Sequence, residues 1–165
     1  MDARPTWTPA YIGLGSNLDD PPRQIAAALA ALGTLPESLL TGTSPLYRTA
    51  PEGVLDQPEF VNAAAVLLTR LDGRALHAAL RALEARLGKV PPAERFGPRR
   101  IDLDLLVFGA ETLALPDLTV PHPRLHERAF VLYPLSDLAP ALWVPGRGRV
   151  AALRDALAGP APTLV

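Results

Sequence analysis

The chain has 165 residues, 48% of them hydrophobic and 20% charged, with a formal net charge of −1. That length fits one domain burying about 70% of its unfolded surface, and the balance excludes both a disordered chain and a polyanion binder. No cysteine is present, which excludes disulfides and thiolate metal sites, and no apolar run reaches the ~20 residues that span a bilayer.

The opening MDARPTWTP lacks an apolar signal core, so a cytoplasmic protein with no membrane attachment is expected. AYIGLGS (10–16) is a short apolar run ending in glycines and predicts a buried strand. GLGSN reads as a tight strand-to-helix turn with Asn17 at the helix start, because it lacks the third glycine and the lysine of the phosphate-loop fingerprints. PPRQIAAALAALG (21–33) predicts a helix opened by Pro21 and Pro22 and stopped by Gly33. TGTSPLYRT (41–49) predicts a second strand, APEGVLDQP (50–58) a loop, and EFVNAAAVLLT (59–69) a third strand. In DGRALHAALRALEARLG (72–88), Leu76, Leu80, Leu83 and Leu87 fall at helical spacing, with Asp72 as N-cap and Gly88 just past the end. Loop 89–100 then leads into the strand IDLDLLVFG (101–109).

The order is β-α-β-β-α-β, an α+β ferredoxin-like sandwich with an antiparallel sheet and two helices on one face. Residues 110–165 add short helices and strands, RVAALRDALAG (149–159) among them, and the whole chain is expected to form one domain.

IDLDLLVFG poses the chemical question. Alternation puts Ile101, Leu103, Leu105 and Val107 on the helix face and Asp102, Asp104 and Leu106 on the other. Same-face carboxylates roughly 6.6 Å apart along a strand can lean onto one or two hard cations, and Mg²⁺ accepts so few protein ligands when phosphates supply the rest. A solvated sheet face carrying two ordinary surface aspartates is the plainer reading. Against it, Arg95, Arg99 and Arg100 lie just upstream, with Gly97-Pro98 setting the turn. Guanidinium forks beside paired acids suit a polyphosphate. Asn62, inside FVNAAAVLL, needs hydrogen-bond partners if buried, from a loop backbone or a ligand edge. On periodicity alone, Phe60 and Phe130 read as core. His77 and His126 have no metal-ligand spacing with His122 and read as surface or structural residues.

ERFGPRRIDLDLLVFG followed by LTVPHPRLHERAFVLYPLSDLAP, with YIGLGSNL and SPLYRTAPEG…QPEFVNAA before them, resembles the 6-hydroxymethyl-7,8-dihydropterin pyrophosphokinases of folate biosynthesis. The likeness covers about residues 10–158. It implies the ferredoxin-like core and transfer of the β,γ-pyrophosphoryl group of ATP to the pterin hydroxymethyl oxygen, with two Mg²⁺ ions. Residue by residue, it implies Asp102 and Asp104 as metal ligands and Arg99, His122 and Arg128 as phosphate contacts. Glu84, Lys89, Leu105 and Thr119 fall with them on the ATP side, Lys89 and Arg99 close to the chemistry. On the pterin side it implies Asn62 as the reader of the ring edge, Phe60 and Phe130 as its sandwich, Thr49, Ala50 and Glu52 as its wall, and Phe96 as a cover. For Glu84 an exposed helix residue in an i, i+4 pair is a reading not much weaker.

The resemblance is imperfect in loop 89–98. Lys89 stands where the family carries arginine, Pro91-Pro92 replaces flexible basic residues, and Phe96 replaces tryptophan. A lysine cannot fork a phosphate and two prolines restrict the backbone, so an altered grip on ATP or an altered loop closure is expected. A monomer acting on ATP and the pterin is expected, without nucleic-acid partners. A non-catalytic ferredoxin-like module and another Mg²⁺-dependent nucleotide enzyme are the competing classes. Carboxylates on the sheet face oppose an RNA-binding module, and Asn62 between two aromatics is unexplained by a nucleotidyltransferase.

Overall fold

Apolar side chains at every second position of two segments set the sheet: Ala10, Ile12 and Leu14 in one, Val61, Ala63, Ala65 and Leu67 in the other, all buried. The computed structural model describes residues 3–51, 53, 55–90 and 97–165, with backbone alone for 3–5. The elements run β1 (Ala3–Ser16), α1 (Pro21–Leu32), β2 (Ser38–Thr43), β3 (Tyr47–Thr49), β4 (Phe60–Leu71), α2 (Gly73–Arg86) and β5 (Asp102–Phe108). The hairpin β6 (Leu113–Leu115) and β7 (Leu118–Val120) follows, then a 3₁₀ turn (Leu125–Glu127) and α3 (Ala129–Leu138). The small hairpin β8 (Trp143–Val144) and β9 (Gly148–Arg149), α4 (Val150–Asp155) and β10 (Thr163–Leu164) complete the order.

The main sheet runs β10-β3-β4-β1-β5 with β2 also on β4, and its pairings are antiparallel. The architecture is mixed α/β around an antiparallel sheet. The expected strand over 41–49 is two strands, because Pro45 has no N–H to give to a ladder. Ser44 bridges the break: its N–H donates to the Ala64 carbonyl at 2.8 Å and its Oγ accepts from the Ala64 N–H at 2.8 Å.

Helices α1 and α2 cover one face. Ile25, Ala28 and Leu32 of α1 and Leu76, Leu80 and Leu83 of α2 pack with Ile12, Leu14, Leu67, Ile101, Leu103 and Leu105. Asp72 caps α2, its Oδ1 accepting from the Ala75 N–H at 2.8 Å, and Gly88 follows the end at φ +89°, as the sequence predicts. The start of α1 differs. Its N-cap is Asp20, not Asn17, and α4 is shorter than the expected 149–159.

The other face is not left to solvent. A second core, built on Val131, Leu132 and Leu135 of α3 with Leu125, Val144 and Val150, packs against Leu106 and Val107. Val107 therefore lies opposite its expected side. The ladder between β1 and β5 slips between Tyr11 and Ile12, pairing Ile12 with Leu105 but Tyr11 with Val107. One extra residue in β5 flips the alternation beyond it, which returns Phe108 to the helix side.

Candidate active site

Register brings the chemistry together. Asn62 of β4, Gly15 of β1 and Asp102 of β5 are partners in one row across the sheet, and Ala64, Gly13 and Asp104 form the next. Gly13 and Gly15 thus lie within β1, not in a turn as GLGSN suggests. They leave a trough between the amide and the acids. A Cβ on Gly15 would stand 2.9 Å from Asn62 Oδ1, and one on Gly13 would stand 3.3 Å from the Leu106 methyls.

Walls rise around this floor to enclose a cavity of about 300 Å³ lined by Thr49, Ala50, Phe60, Asn62, Lys89, Arg99, Asp102, Asp104, Leu106, Arg128, Phe130 and Val131, with the two glycines. That volume suits a small heterocycle. Asn62 is buried and donates from Nδ2 to Thr49 Oγ1 at 2.7 Å. The Arg99 guanidinium sits 5.9 Å from the centroid of the Phe60 ring, and that of Arg128 sits 5.3 Å from Phe130. Each aromatic wall therefore carries a cation within the distance at which ring quadrupoles attract it.

The acids are embedded in countercharge. Asp102 takes Lys89 Nζ at 2.7 Å on Oδ1 and Arg99 Nη1 at 2.8 Å on Oδ2. Asp104 has Arg81 Nη2 at 3.9 Å. Its pKa is raised, first by the protein packed around it and then by the Asp102 charge, against the pull of His122, Arg81 and Lys89. Among the described residues no three His, Cys, Asp or Glu side chains gather as an all-protein metal cage. Two carboxylates with incompletely neutralised like charge fit Mg²⁺, which keeps waters and substrate oxygens as its remaining ligands.

Glu84 is buried, and the surface reading of it fails. Its Oε2 accepts from the Leu103 N–H at 2.7 Å and from Lys89 Nζ at 3.2 Å, while Oε1 faces Arg81 Nε at 3.2 Å. Burial raises its pKa, and these three donors oppose the rise. Arg81 also donates to the Leu103 carbonyl. Since β5 is the last strand of the sheet, Glu84 and Arg81 satisfy backbone groups that no further strand would take.

Other expected site residues fall outside the cavity lining. The Leu105 side chain is in the helix-side core, which leaves only its backbone for a nucleotide. Thr119 is exposed on β7, and His122 is half-buried, its Nδ1 accepting from the Arg124 N–H at 3.2 Å. Arg100 turns away to Asp19 Oδ2, at 2.6 Å, and does not line the cavity as the loop sequence suggests. Glu52, Pro91, Pro92, Arg95 and Phe96 lie outside the described residues. Sequence reasoning missed Gly13, Gly15 and Arg81. Two glycines two residues apart in an apolar strand share a face, which is the signal that could have found the trough.

The chain matches the family described as 7,8-dihydro-6-hydroxymethylpterin-pyrophosphokinase (HPPK) over residues 11–140. It belongs to that family. A Pseudomonas aeruginosa protein named 2-amino-4-hydroxy-6-hydroxymethyldihydropteridine pyrophosphokinase is 53% identical over 135 residues, covering 82% of this chain and 83% of its own. A Haemophilus influenzae protein of the same name is 42% identical over 136 residues, covering 82% and 84%. The crystal structure of Plasmodium falciparum HPPK-DHPS with pteroate superposes with a TM-score of 0.71 at 15% identity. The match covers 94% of this chain but only 43% of that longer one, and at such identity the likeness concerns the fold.

Proposed function

We propose that the protein transfers a pyrophosphoryl group from ATP to 6-hydroxymethyl-7,8-dihydropterin, yielding AMP and the pterin diphosphate for folate biosynthesis. One observation carries the reading. An amide flanked by an aromatic wall and a pair of acids ringed by cations share one cavity floor, separated only by glycine. A flat heterocycle reading the Asn62 edge between Phe60 and Phe130 would lie beside a phosphate chain at Asp102 and Asp104. The names of the relatives agree with this activity.

Asp102 and Asp104 hold Mg²⁺ on this reading, two ions being expected from the family resemblance. Bound there with ATP, Mg²⁺ supplies charge neutralisation on the transferring group and its leaving oxygen. The chain's own residues do the rest. Asn62 and the two phenylalanines fix the pterin, gaining of order 1 kcal/mol per stacked pair. Arg99, Lys89 and Arg128 line the phosphate side, with Glu84 steadying Lys89. The hydroxymethyl oxygen forms a bond to the β-phosphorus as the bond from that phosphorus to the α-phosphate oxygen breaks. AMP leaves, and the hydroxyl proton passes to solvent, no side chain being nominated as its base. Positioning supplies the rate in such a scheme.

The core is best classed as ferredoxin-like: with the broken pair β2 and β3 counted as one strand the order is β-α-β-β-α-β, and β1 lies between β4 and β5. One domain working as a monomer is the simplest organisation. Among the described residues no helix is long and apolar enough to cross a membrane. The test is nucleotide analysis after mixing protein, Mg²⁺, ATP and the pterin. AMP formed only with the pterin is expected, and ADP, free pyrophosphate or no turnover refutes the assignment. Chelation of Mg²⁺ should stop turnover while pterin binding persists.

A further inference from the structure

Asn17 is not in the cavity lining and is 2% exposed. Its side chain is nearly saturated with bonds to two separate segments. Nδ2 donates to Gln57 Oε1 at 2.9 Å and to the Pro58 carbonyl at 3.0 Å. Oδ1 accepts from the Arg99 N–H at 2.8 Å, and the Asn17 N–H donates to the Arg99 carbonyl at 3.1 Å. An amide has two N–H donors and one carbonyl oxygen, so both donors face one segment and the acceptor the other. Gln57 and Pro58 lead directly into Phe60, and Arg99 reaches Asp102 at 2.8 Å.

We propose that Asn17 is a positioning residue that braces the pterin-side loop against the phosphate-side arginine, fixing the relative placement of the two substrates. The inference rests on the proposed pyrophosphoryl transfer but concerns a group that touches neither substrate. Its position explains the chemistry of the residue: an aspartate or serine there could not present two donors to one segment and an acceptor to the other. Asn17 is not the N-cap of α1, the ordinary use of asparagine at a helix start; that position is Asp20's, whose side chain makes no capping hydrogen bond.

Asn17→Asp separates the two halves of the brace. The carboxylate keeps an acceptor for the Arg99 N–H but sets an oxygen against the Gln57 and Pro58 oxygens. Pterin KM should rise by about tenfold, the equivalent of one lost hydrogen bond, while ATP KM stays within about threefold. A buried carboxyl is protonated more readily than a free one, and the protonated form regains one donor. The pterin KM of Asn17→Asp relative to the parent at the same pH should therefore improve from pH ~8.5 to ~6. Asn17→Ala loses both halves and should raise both KM values and lower kcat. Should Asn17→Asp fail to fold, Gln57→Leu removes one acceptor from outside and should raise pterin KM alone, by a few fold. Pterin-dependent AMP formation by the parent is measured first. Its absence overturns the functional reading, and this inference with it. An active parent with equal, pH-independent changes in both KM values for Asn17→Asp, or with no change, overturns the brace alone.

Discussion

Gly15→Ala probes the trough directly. The new Cβ would stand 2.9 Å from Asn62 Oδ1 and 4.0 Å from the Phe60 ring, so the amide must shift. Overpacking a tight site costs about 1–3 kcal/mol, but replacing glycine inside a strand returns roughly 0.5–1 kcal/mol of conformational entropy. The net loss of stability should thus be about 0–2.5 kcal/mol, small enough for the variant to fold. Function should suffer more. Asn62 is fixed by its 2.7 Å bond to Thr49 Oγ1, and a displaced amide can no longer serve both that bond and a pterin edge. Losing one or two such hydrogen bonds weakens pterin binding by roughly 10–100-fold. Urea denaturation reads the first quantity and pterin titration the second, with ATP affinity as the internal control. Parent-like pterin affinity in a folded Gly15→Ala protein would refute the assignment of this floor to the pterin.

Asp102→Ala and Asp104→Ala should each lower turnover by orders of magnitude and leave pterin binding nearly intact; retained activity in both, measured as AMP release, would refute the metal assignment. Glu84→Ala strands the Leu103 N–H at the sheet edge and should cost about 1–3 kcal/mol in urea denaturation. Lys89→Arg keeps the charge facing Glu84 and Asp102 and adds a fork, so ATP should bind more tightly; unchanged ATP affinity and turnover would mean that Lys89 does not touch phosphate. Tyr47 donates its hydroxyl to Asp137, and burial followed by that bond pushes its pKa from 10.0 up to about 12. A raised folded pKa means stability present below the unfolded value and lost as pH climbs through the folded one. The parent should accordingly lose stability between pH 10.0 and about 12 in a way that Tyr47→Phe does not, checked by melting temperature against pH.

Local rules made much of the fold legible. Asp72, Gly88 and the leucine spacing of α2 are contacts between near neighbours, and each predicted feature is present. The split of the second strand at Pro45 was missed, although its signal, a missing N–H, is a property of one residue. The other misses depend mostly on pairing between distant segments. Nothing within IDLDLLVFG announces the slip opposite Tyr11 and Ile12 that moves Val107 to the second core. Likewise, the partners of Asn17 lie 40 to 82 residues away, so a local rule assigns it to the adjacent helix. Glu84 was ambiguous for a related reason. Its helix face is set by tertiary packing against β5, so an acid on a helix reads as an exposed i, i+4 pair until the strand edge beside it is known; its ion pair within the helix is in fact with Arg81 at i, i+3.

Two acids side by side on a partly covered sheet face are tolerable because cations surround them, the Asp102 side chain being 19% exposed and that of Asp104 43%. Glu84, Asp102 and Asp104 are interleaved with Arg81, Lys89 and Arg99 at distances of 2.7–3.9 Å. Removing any one partner leaves an uncompensated charge in a partly desolvated cavity, which is costly. A nucleotide arriving with divalent cations changes this balance little, since its own positive and negative charges largely cancel. On the proposed reading, Lys89 and Arg99 would give up the Asp102 carboxylate for phosphate oxygens when the nucleotide binds, which would leave that carboxylate free to hold a cation. The same cations would, on that reading, stabilise the empty site and grip the nucleotide in the filled one.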